Sequence, residues 1–145
     1  MRHLLLIGVM LVALVTPSRA DDGNGVVYVD AGKVAEVFAK AGALGAGPGY
    51  TASVLRRTSA GQVELHRKGS DVFYILDGDA TFVTGGTIVG GKDTAPDELR
   101  GTSITGGETH HLKKGDFISI PAGTPHWFKE VPQSINYYMV KVIVP

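Results

Sequence analysis

The stretch from Gly115 to Phe128 places one histidine directly after a rigid corner, in a skeleton made of Gly115, Pro121, Gly123 and His126. Gly115 suits a tight turn into an apolar strand, Pro121 ends the hydrogen bonding of that strand, and Gly123 permits a positive φ at the corner. Because such a corner restricts where the next strand's first side chain points, the spacing predicts a fixed imidazole at His126. That imidazole is either a metal ligand or a polar group of a pocket.

The composition limits the chemistry available to this chain. Its 145 residues include five histidines and no cysteine. Thiolate catalysis, thiolate metal sites, disulfides and a lipid-modified cysteine are therefore excluded. Fourteen basic side chains balance fourteen acidic ones, and no basic cluster occurs. This balance predicts neither a nucleic-acid partner nor attraction to anionic lipid.

The first twenty residues are typical of a secretory signal. A short basic start at Arg2 precedes an apolar run over residues 4–15, and the small residues Ser18 and Ala20 stand where a signal peptidase reads. The run is short for a bilayer span, although a retained anchor is the alternative. We expect residues 1–20 to be removed, leaving no membrane anchor and a periplasmic or secreted protein.

The next part of the chain, residues 21–49, predicts a short strand, a helix and a linker. Residues 26–30 are β-rich, Asp30 suits a helix N-cap, and apolar residues recur at helical spacing over residues 31–41. The glycine-rich residues 43–49 are typical of a linker.

Residues 50–145 predict a single all-β domain. Short β-rich runs follow one another with no helix between them, and glycine-containing turns, one of them at 77–79, separate most of the runs. Many short strands at this spacing indicate an antiparallel sandwich or barrel. Two similar segments, 87–91 and 103–107, are expected to form the arms of a hairpin or lid around the polar stretch 92–100.

The spacing that leads to His126 resembles the second motif of the cupin superfamily, whose members are jelly-roll barrels, also called double-stranded β-helices. The first motif of that family has two histidines two positions apart, then an acid, then a glycine. Here His66 matches the second histidine, and Asp71 stands at the family's distance from Gly78, in a segment that resembles the usual hairpin. The resemblance covers residues 50–143 and implies a cupin barrel preceded by a short strand and helix.

The sequence departs from the family pattern at three positions. Glu64 stands in place of the first histidine, Asp71 replaces the usual glutamate, and Glu130 replaces a usual asparagine. The resemblance therefore implies a metal site made of Glu64, His66, Asp71 and His126. Two imidazoles with one or two carboxylates suit Fe, Mn, Ni or Zn. Since aspartate is one methylene shorter than glutamate, a three-ligand site without Asp71 is the alternative.

Three more residues are candidates for the pocket. Phe128 and Glu130 alternate with His126 along one strand, so they share its face and are expected to line the pocket. His110 and His111 are neighbours on a predicted strand, so at most one of them faces inward, and His110 is included as that candidate.

Two classes of function remain open from the sequence. An exported cupin with a divalent metal could act on a small polar molecule as an oxygenase, an isomerase or a lyase. Alternatively, His66 and His126 are pocket groups satisfied by Glu64 and Asp71, and the protein binds a ligand or a partner without metal or turnover. We also expect a homodimer, because exposed strand edges and the apolar stripe of the predicted helix need cover.

Overall fold

The computed structural model describes residues 25–143, so the predicted signal at 1–20 lies outside the described residues. Within that range, one helix precedes twelve strands: α1 Ala31–Lys40, β1 Gly42–Gly47, β2 Tyr50–Arg57, β3 Val63–His66, β4 Gly69–Thr84, β5 Thr87–Val89, β6 Lys92–Ala95, β7 Glu98–Gly101, β8 Ser103–Thr105, β9 Glu108–Lys113, β10 Phe117–Ile120, β11 His126–Glu130 and β12 Ile135–Ile143. Over the same range, no helix has the length and apolar character needed to cross a membrane.

The strands form two facing layers that share β4, and every pairing is antiparallel. The first half of β4, up to Gly78, pairs with β12 and β10, and β12 continues to β2 and β1. We call this layer the first sheet. The second half of β4 pairs with β9 and β11, and β11 continues through β3 and β7 to β6. This layer is the second sheet. The predicted all-β jelly-roll architecture is confirmed.

The prediction of a turn at 77–79, inside a hairpin, is wrong. β4 runs without interruption for 16 residues and bends at Gly78, where it passes from one sheet to the other. Gly78 has a φ of +81°, and a Cβ atom there would overlap the carbonyl oxygen of Ser134. The glycine therefore permits a close backbone contact and a sharp bend without ending the strand.

Two predictions for the start of the chain are corrected. Residues 26–30, all within the described range, form no strand; Val27 instead packs against Gly45 of β1. The predicted linker 43–49 largely belongs to β1, which pairs with β2. Small residues are typical of linkers, but their backbones pair as readily as others where a neighbouring strand edge is available.

The predicted helix is confirmed as α1. Asp30 caps it by accepting a hydrogen bond from the backbone N–H of Lys33 at 3.0 Å. Its apolar stripe is only partly covered, since Val34 and Val37 are half-buried and Phe38 is exposed.

In the segment between β4 and β9, β6 and β7 extend the second sheet, whereas β5 and β8 form a separate two-stranded sheet. β5 and β8 pair with each other, which confirms the hairpin arms expected at 87–91 and 103–107. The polar stretch between them is itself the hairpin β6–β7, and β7 pairs with β3 so that Glu98 lies opposite His66 and Arg100 opposite Glu64.

An apolar core fills the space between the sheets beside the cavity described below. Its buried residues are Phe73, Ile75, Ala80, Phe82, Leu112, Ile120, Phe128, Ile135 and Tyr137. Four of these nine residues are aromatic, and the rings of Phe82 and Phe128 meet edge to face with their centroids 4.6 Å apart. Such packing gives the polar strand ends beside it a rigid support.

Candidate metal centre

Three strands bring the four predicted ligands together. Glu64 and His66 share the inner face of β3, Asp71 lies on β4, and His126 is the first residue of β11. His66 Nε2 lies 3.2 Å from Asp71 Oδ2 and 3.6 Å from Glu64 Oε2. His126 Nε2 lies 3.6 Å and 4.0 Å from the same two oxygens. Two ligands of one ion at about 2.1 Å each lie no more than about 4.2 Å apart, so each of these four histidine-to-carboxylate separations is short enough for two ligands of one metal.

The corner before β11 is attached to the end of β3. The backbone N–H of Gly123 donates to the carbonyl oxygen of His66 at 2.7 Å, and the N–H of Ala122 donates to Ser70 Oγ at 3.0 Å. Gly123 has a φ of +78°, as its predicted role in the corner required. The corner therefore fixes His126 relative to His66.

Each imidazole is held through its Nδ1 atom. His66 Nδ1 lies 2.6 and 2.7 Å from the two carboxylate oxygens of Glu98, and His126 Nδ1 lies 3.1 Å from the carbonyl oxygen of Thr124. Both partners accept hydrogen bonds, so the Nδ1 atoms donate and both Nε2 atoms turn inward. His126 Nε2 is buried and has no hydrogen-bond partner among residues 25–143.

Two arginines hold one oxygen of Glu64. Arg57 Nη2 lies 2.9 Å and Arg100 Nη1 lies 2.7 Å from Glu64 Oε1. The other oxygen, Oε2, faces the histidines. Within the described chain, Glu64, His66 and His126 form a group whose ligand atoms all lie within 4.8 Å of one another, so these three residues could hold a metal ion.

Asp71 lies against this trio but has a different partner. It is buried, and Lys141 Nζ lies 2.7 Å from its Oδ1, forming an ion pair whose orientation does not meet hydrogen-bond geometry. Burial alone would raise the pKa of Asp71, but His66 and Lys141 outweigh it and lower the pKa below its ordinary value. Asp71 is therefore an ionised carboxylate beside the trio.

The two imidazoles differ in how readily they take up a proton. Burial lowers the pKa of His66, but hydrogen bonding with Asp71 and Glu98 outweighs burial and raises it overall, against an opposing effect from Lys141. Burial dominates at His126 and lowers its pKa, despite the Thr124 carbonyl and the nearby carboxylates. His126 is thus the imidazole that stays neutral to lower pH.

The centre opens into a cavity of about 260 Å³ between the two sheets. The residues that line it are Leu55, Arg57, Glu64, His66, Asp71, Phe73, Glu98, Arg100, His126, Phe128, Tyr137, Met139 and Lys141. Phe128 lies there as expected. Arg57, Glu98, Arg100 and Lys141 were missed by the sequence analysis. The alternation of side chains along β2 could have indicated Arg57. Glu98 and Arg100 reach the cavity only because β7 pairs with β3, and that pairing has no local signal in the sequence.

The structure does not place Glu130 and His110 in this cavity, contrary to expectation. A bulge between Phe128 and Glu130 reverses the alternation of β11, so Glu130 is exposed and accepts a hydrogen bond from Thr81 Oγ1. His110 lies on β9, two strands and about 10 Å from β11, and its Nε2 lies 2.9 Å from Thr84 Oγ1.

No family model matches the chain, and no curated protein matches it. Solved structures do match. The cupin domain of Cnp3 from Schizosaccharomyces pombe is 16% identical over 71% of this chain and 59% of that domain, with a TM-score of 0.51. A protein from Bacillus halodurans is 15% identical over 71% of this chain and 69% of its own, also with a TM-score of 0.51.

A cupin superfamily protein from Desulfitobacterium hafniense is 15% identical over 72% of this chain and 76% of its own, with a TM-score of 0.49. The match to the Cnp3 domain spans less than two thirds of that domain. Likenesses at these identities concern the arrangement of the strands and not the chemistry of the site. The match to the Cnp3 cupin domain and the two antiparallel layers that share β4 show that this chain has a cupin fold.

Proposed function

We propose that this protein is an exported cupin that holds a divalent metal through Glu64, His66 and His126 and that binds or acts on a small polar molecule. The observation that carries the proposal is the state of the two imidazoles. Each is anchored at Nδ1 by an acceptor and turns Nε2 toward Glu64 Oε2, and His126 Nε2 is buried with no hydrogen-bond partner in the described part of the chain. An unsatisfied buried nitrogen is costly unless something binds it.

The donor set fits such an ion. Two neutral imidazoles and a carboxylate suit Fe, Mn, Ni or Zn. When bound, a metal of this kind can polarise a carbonyl group, activate water or bind dioxygen, which keeps oxygenase, isomerase and lyase reactions open.

The residues around the trio have separate tasks in this proposal. Arg57 and Arg100 hold Glu64 Oε1 and leave Oε2 for the metal. Glu98 and Thr124 fix the orientation and tautomer of the two imidazoles. Asp71, ionised and held by Lys141, offers Oδ2 either as a fourth ligand or as a group that accepts a proton from the bound molecule.

A metal-free ligand-binding cupin is the second candidate, and one observation favours it. His66 lies between Asp71 and Glu98, and its pKa is raised while that of Asp71 is lowered. A protonated His66 would satisfy both carboxylates without any metal. In that case the cavity would bind a molecule or partner with no turnover.

Melting temperature with and without a chelator separates the two candidates. A metal that binds only the folded state stabilises it, so chelator should lower the melting temperature of the wild-type protein. His66→Ala and His126→Ala should each abolish this sensitivity. His111→Ala, at an exposed position on β9, is the matched control and should keep it. Chelator-insensitive melting of the wild-type protein would favour the metal-free candidate.

Export is proposed from the sequence of residues 1–20 alone. We propose cleavage after Ala20 and a periplasmic or secreted location. The intact mass of the native exported protein should correspond to a chain that begins at Asp21, and a retained first segment would overturn this part of the proposal.

A further inference from the structure

The cavity has two unlike surfaces. One is apolar and is formed by Leu55, Phe73, Phe128, Tyr137 and Met139. The other carries the metal trio and a set of charged side chains contributed by both sheets. A molecule that fills the cavity must therefore present an apolar part and a polar part to different sides.

Two guanidinium groups on the polar side are fixed before any ligand arrives. Arg57 donates from Nε to the Tyr137 hydroxyl at 3.4 Å and from Nη2 to Glu64, and its guanidinium carbon lies 4.8 Å from the centroid of the Phe128 ring. Arg100 is held by Glu64 and by Glu98, whose Oε2 lies 3.5 Å from its Nη2. Both arginine side chains are about 30% exposed, so they lie at the open side of the cavity.

The charges around the cavity balance only while it holds no cation. Three carboxylates face three cationic side chains, namely Glu64, Asp71 and Glu98 against Arg57, Arg100 and Lys141. With both histidines neutral, these charges cancel. A divalent metal adds two positive charges inside a partly buried site, where an uncompensated charge is costly. An anionic ligand removes that cost.

We propose, on the basis of the metal site described under the proposed function, that the cavity takes a small carboxylic acid anion with a short apolar body. Its carboxylate is recognised by Arg57 and Arg100, since a guanidinium group carries five N–H donors in a geometry that matches a carboxylate. Its apolar body lies against Phe73, Phe128 and Met139. The cavity volume of about 260 Å³ lies just below the range of about 300–1,000 Å³ that is typical of small-molecule sites, which favours a small ligand.

Matched pairs of probes test this directly. Hexanoate and benzoate are compared with hexanamide and benzamide, which have nearly the same shape and no charge. Calorimetric titrations use the metal-loaded protein and the chelator-treated protein, with metal content measured on each sample. We expect each carboxylate to bind the loaded protein at least about tenfold more tightly than its amide. Chelator treatment should weaken the binding of the carboxylates and leave the binding of the amides unchanged. The reason is that the binding of metal and the binding of anion favour each other reciprocally.

Substitutions of the two arginines test whether they cause the preference for carboxylates over amides. Arg57→Gln and Arg100→Gln should each remove most of the difference between carboxylate and amide. Arg56→Gln is the control, since Arg56 is exposed and its side chain lies on the opposite face of the same strand. Because either cavity variant could also disturb Glu64, the comparison of carboxylate with amide in the wild-type protein stands as a test that needs no substitution.

The outcomes separate this inference from the metal proposal. A metal-loaded wild-type protein that binds amides as well as carboxylates overturns the inference and leaves the metal site intact. A protein that contains no metal, yet prefers carboxylates through Arg57 and Arg100, overturns the metal site and supports arginine recognition of the anion.

Discussion

Glu98 fixes which ring nitrogen of His66 faces the cavity. Both of its carboxylate oxygens lie within 2.7 Å of His66 Nδ1, so the carboxylate accepts that proton and leaves Nε2 as the inward atom. Carboxylate partners of this kind orient a histidine ligand and increase its basicity, and their loss typically weakens metal binding by about 10- to 100-fold.

We therefore predict that Glu98→Gln lowers metal affinity by about 10- to 100-fold and changes the tautomer of His66, because an amide can donate as well as accept. Competition titration with a chelator gives the affinity, and nitrogen NMR of the imidazoles in the metal-free protein gives the tautomer. Glu108→Gln, at an exposed position on β9, is the control. Unchanged affinity together with an unchanged tautomer would show that Glu98 does not position His66.

The pKa values of the two histidines predict a pH dependence of metal binding. A protonated imidazole cannot ligate a metal, so protons compete with the ion. The pKa of His66 is raised above the ordinary value of about 6.5, whereas that of His126 is lowered, so His66 is protonated first as the pH falls. Metal affinity should fall by up to about tenfold per pH unit once the pH drops below the raised pKa of His66, because His66 takes up its proton before His126 does. Affinity that is constant down to about pH 5.5 would contradict this order.

At the scale of the elements, the fold depends on β4, the strand that passes between the two sheets. Gly78 lies at the bend, where a Cβ atom would overlap the carbonyl oxygen of Ser134. Gly85 also has a positive φ, but nothing lies within 4 Å of the position that its Cβ would take. A comparison of Gly78 with Gly85 therefore distinguishes the cost of backbone strain from the cost of steric overlap.

We predict that Gly78→Ala lowers the free energy of unfolding by about 3 kcal/mol or more, and that Gly85→Ala costs only ~1 kcal/mol. The first substitution adds both strain and overlap, whereas the second adds strain alone. Chemical denaturation of the two variants beside the wild-type protein measures the difference. Equal losses of stability would mean that β4 can shift away from Ser134 at little cost.

The pairing of strands also explains which parts of the site the sequence could predict. The elements that hold His66 and His126 were predictable because β3, β11 and the corner before β11 depend on local signals: an alternating apolar pattern, a proline and a glycine. The role of β7 was not predictable, because Glu98 and Arg100 reach the site only through the register of β7 against β3. Register between strands distant in sequence is a tertiary property that neither segment encodes alone.

Errors at single residues have equally physical causes. Glu130 was placed on the face of His126 by simple alternation, which a bulge in β11 reverses. The continuous β4 was divided in two because an Asp-Gly-Asp sequence usually marks a turn, whereas here Gly78 bends a strand between sheets. The bulge in β11 and the bend in β4 are both local departures from regular strand geometry that depend on how the strand packs in the folded protein.

At the scale of the whole molecule, we propose a homodimer formed through the outer face of the first sheet. Tyr74 and Phe117 are paired across β4 and β10, and they are 47% and 65% exposed. Neighbouring exposed aromatic side chains on a sheet face are typical of an association surface.

Light scattering at micromolar concentration should give the mass of two chains. Phe117→Glu should shift the measured mass toward that of a single chain, because it places a charge in the interface. Val89→Glu, at an exposed apolar position on β5, is the control and should leave the mass unchanged. A wild-type protein with the mass of a single chain would contradict the homodimer.

The central claim is that the inward-turned Nε2 atoms of His66 and His126, together with Glu64, hold a divalent metal. Elemental analysis of the protein purified without a histidine tag tests it most directly. We predict about one equivalent of Fe, Mn, Ni or Zn per chain in the wild-type protein and in His111→Ala, and almost none in His66→Ala or His126→Ala. A wild-type protein that carries no metal and takes up none from an excess of these ions, or a His126→Ala variant that keeps its full content, would contradict the claim.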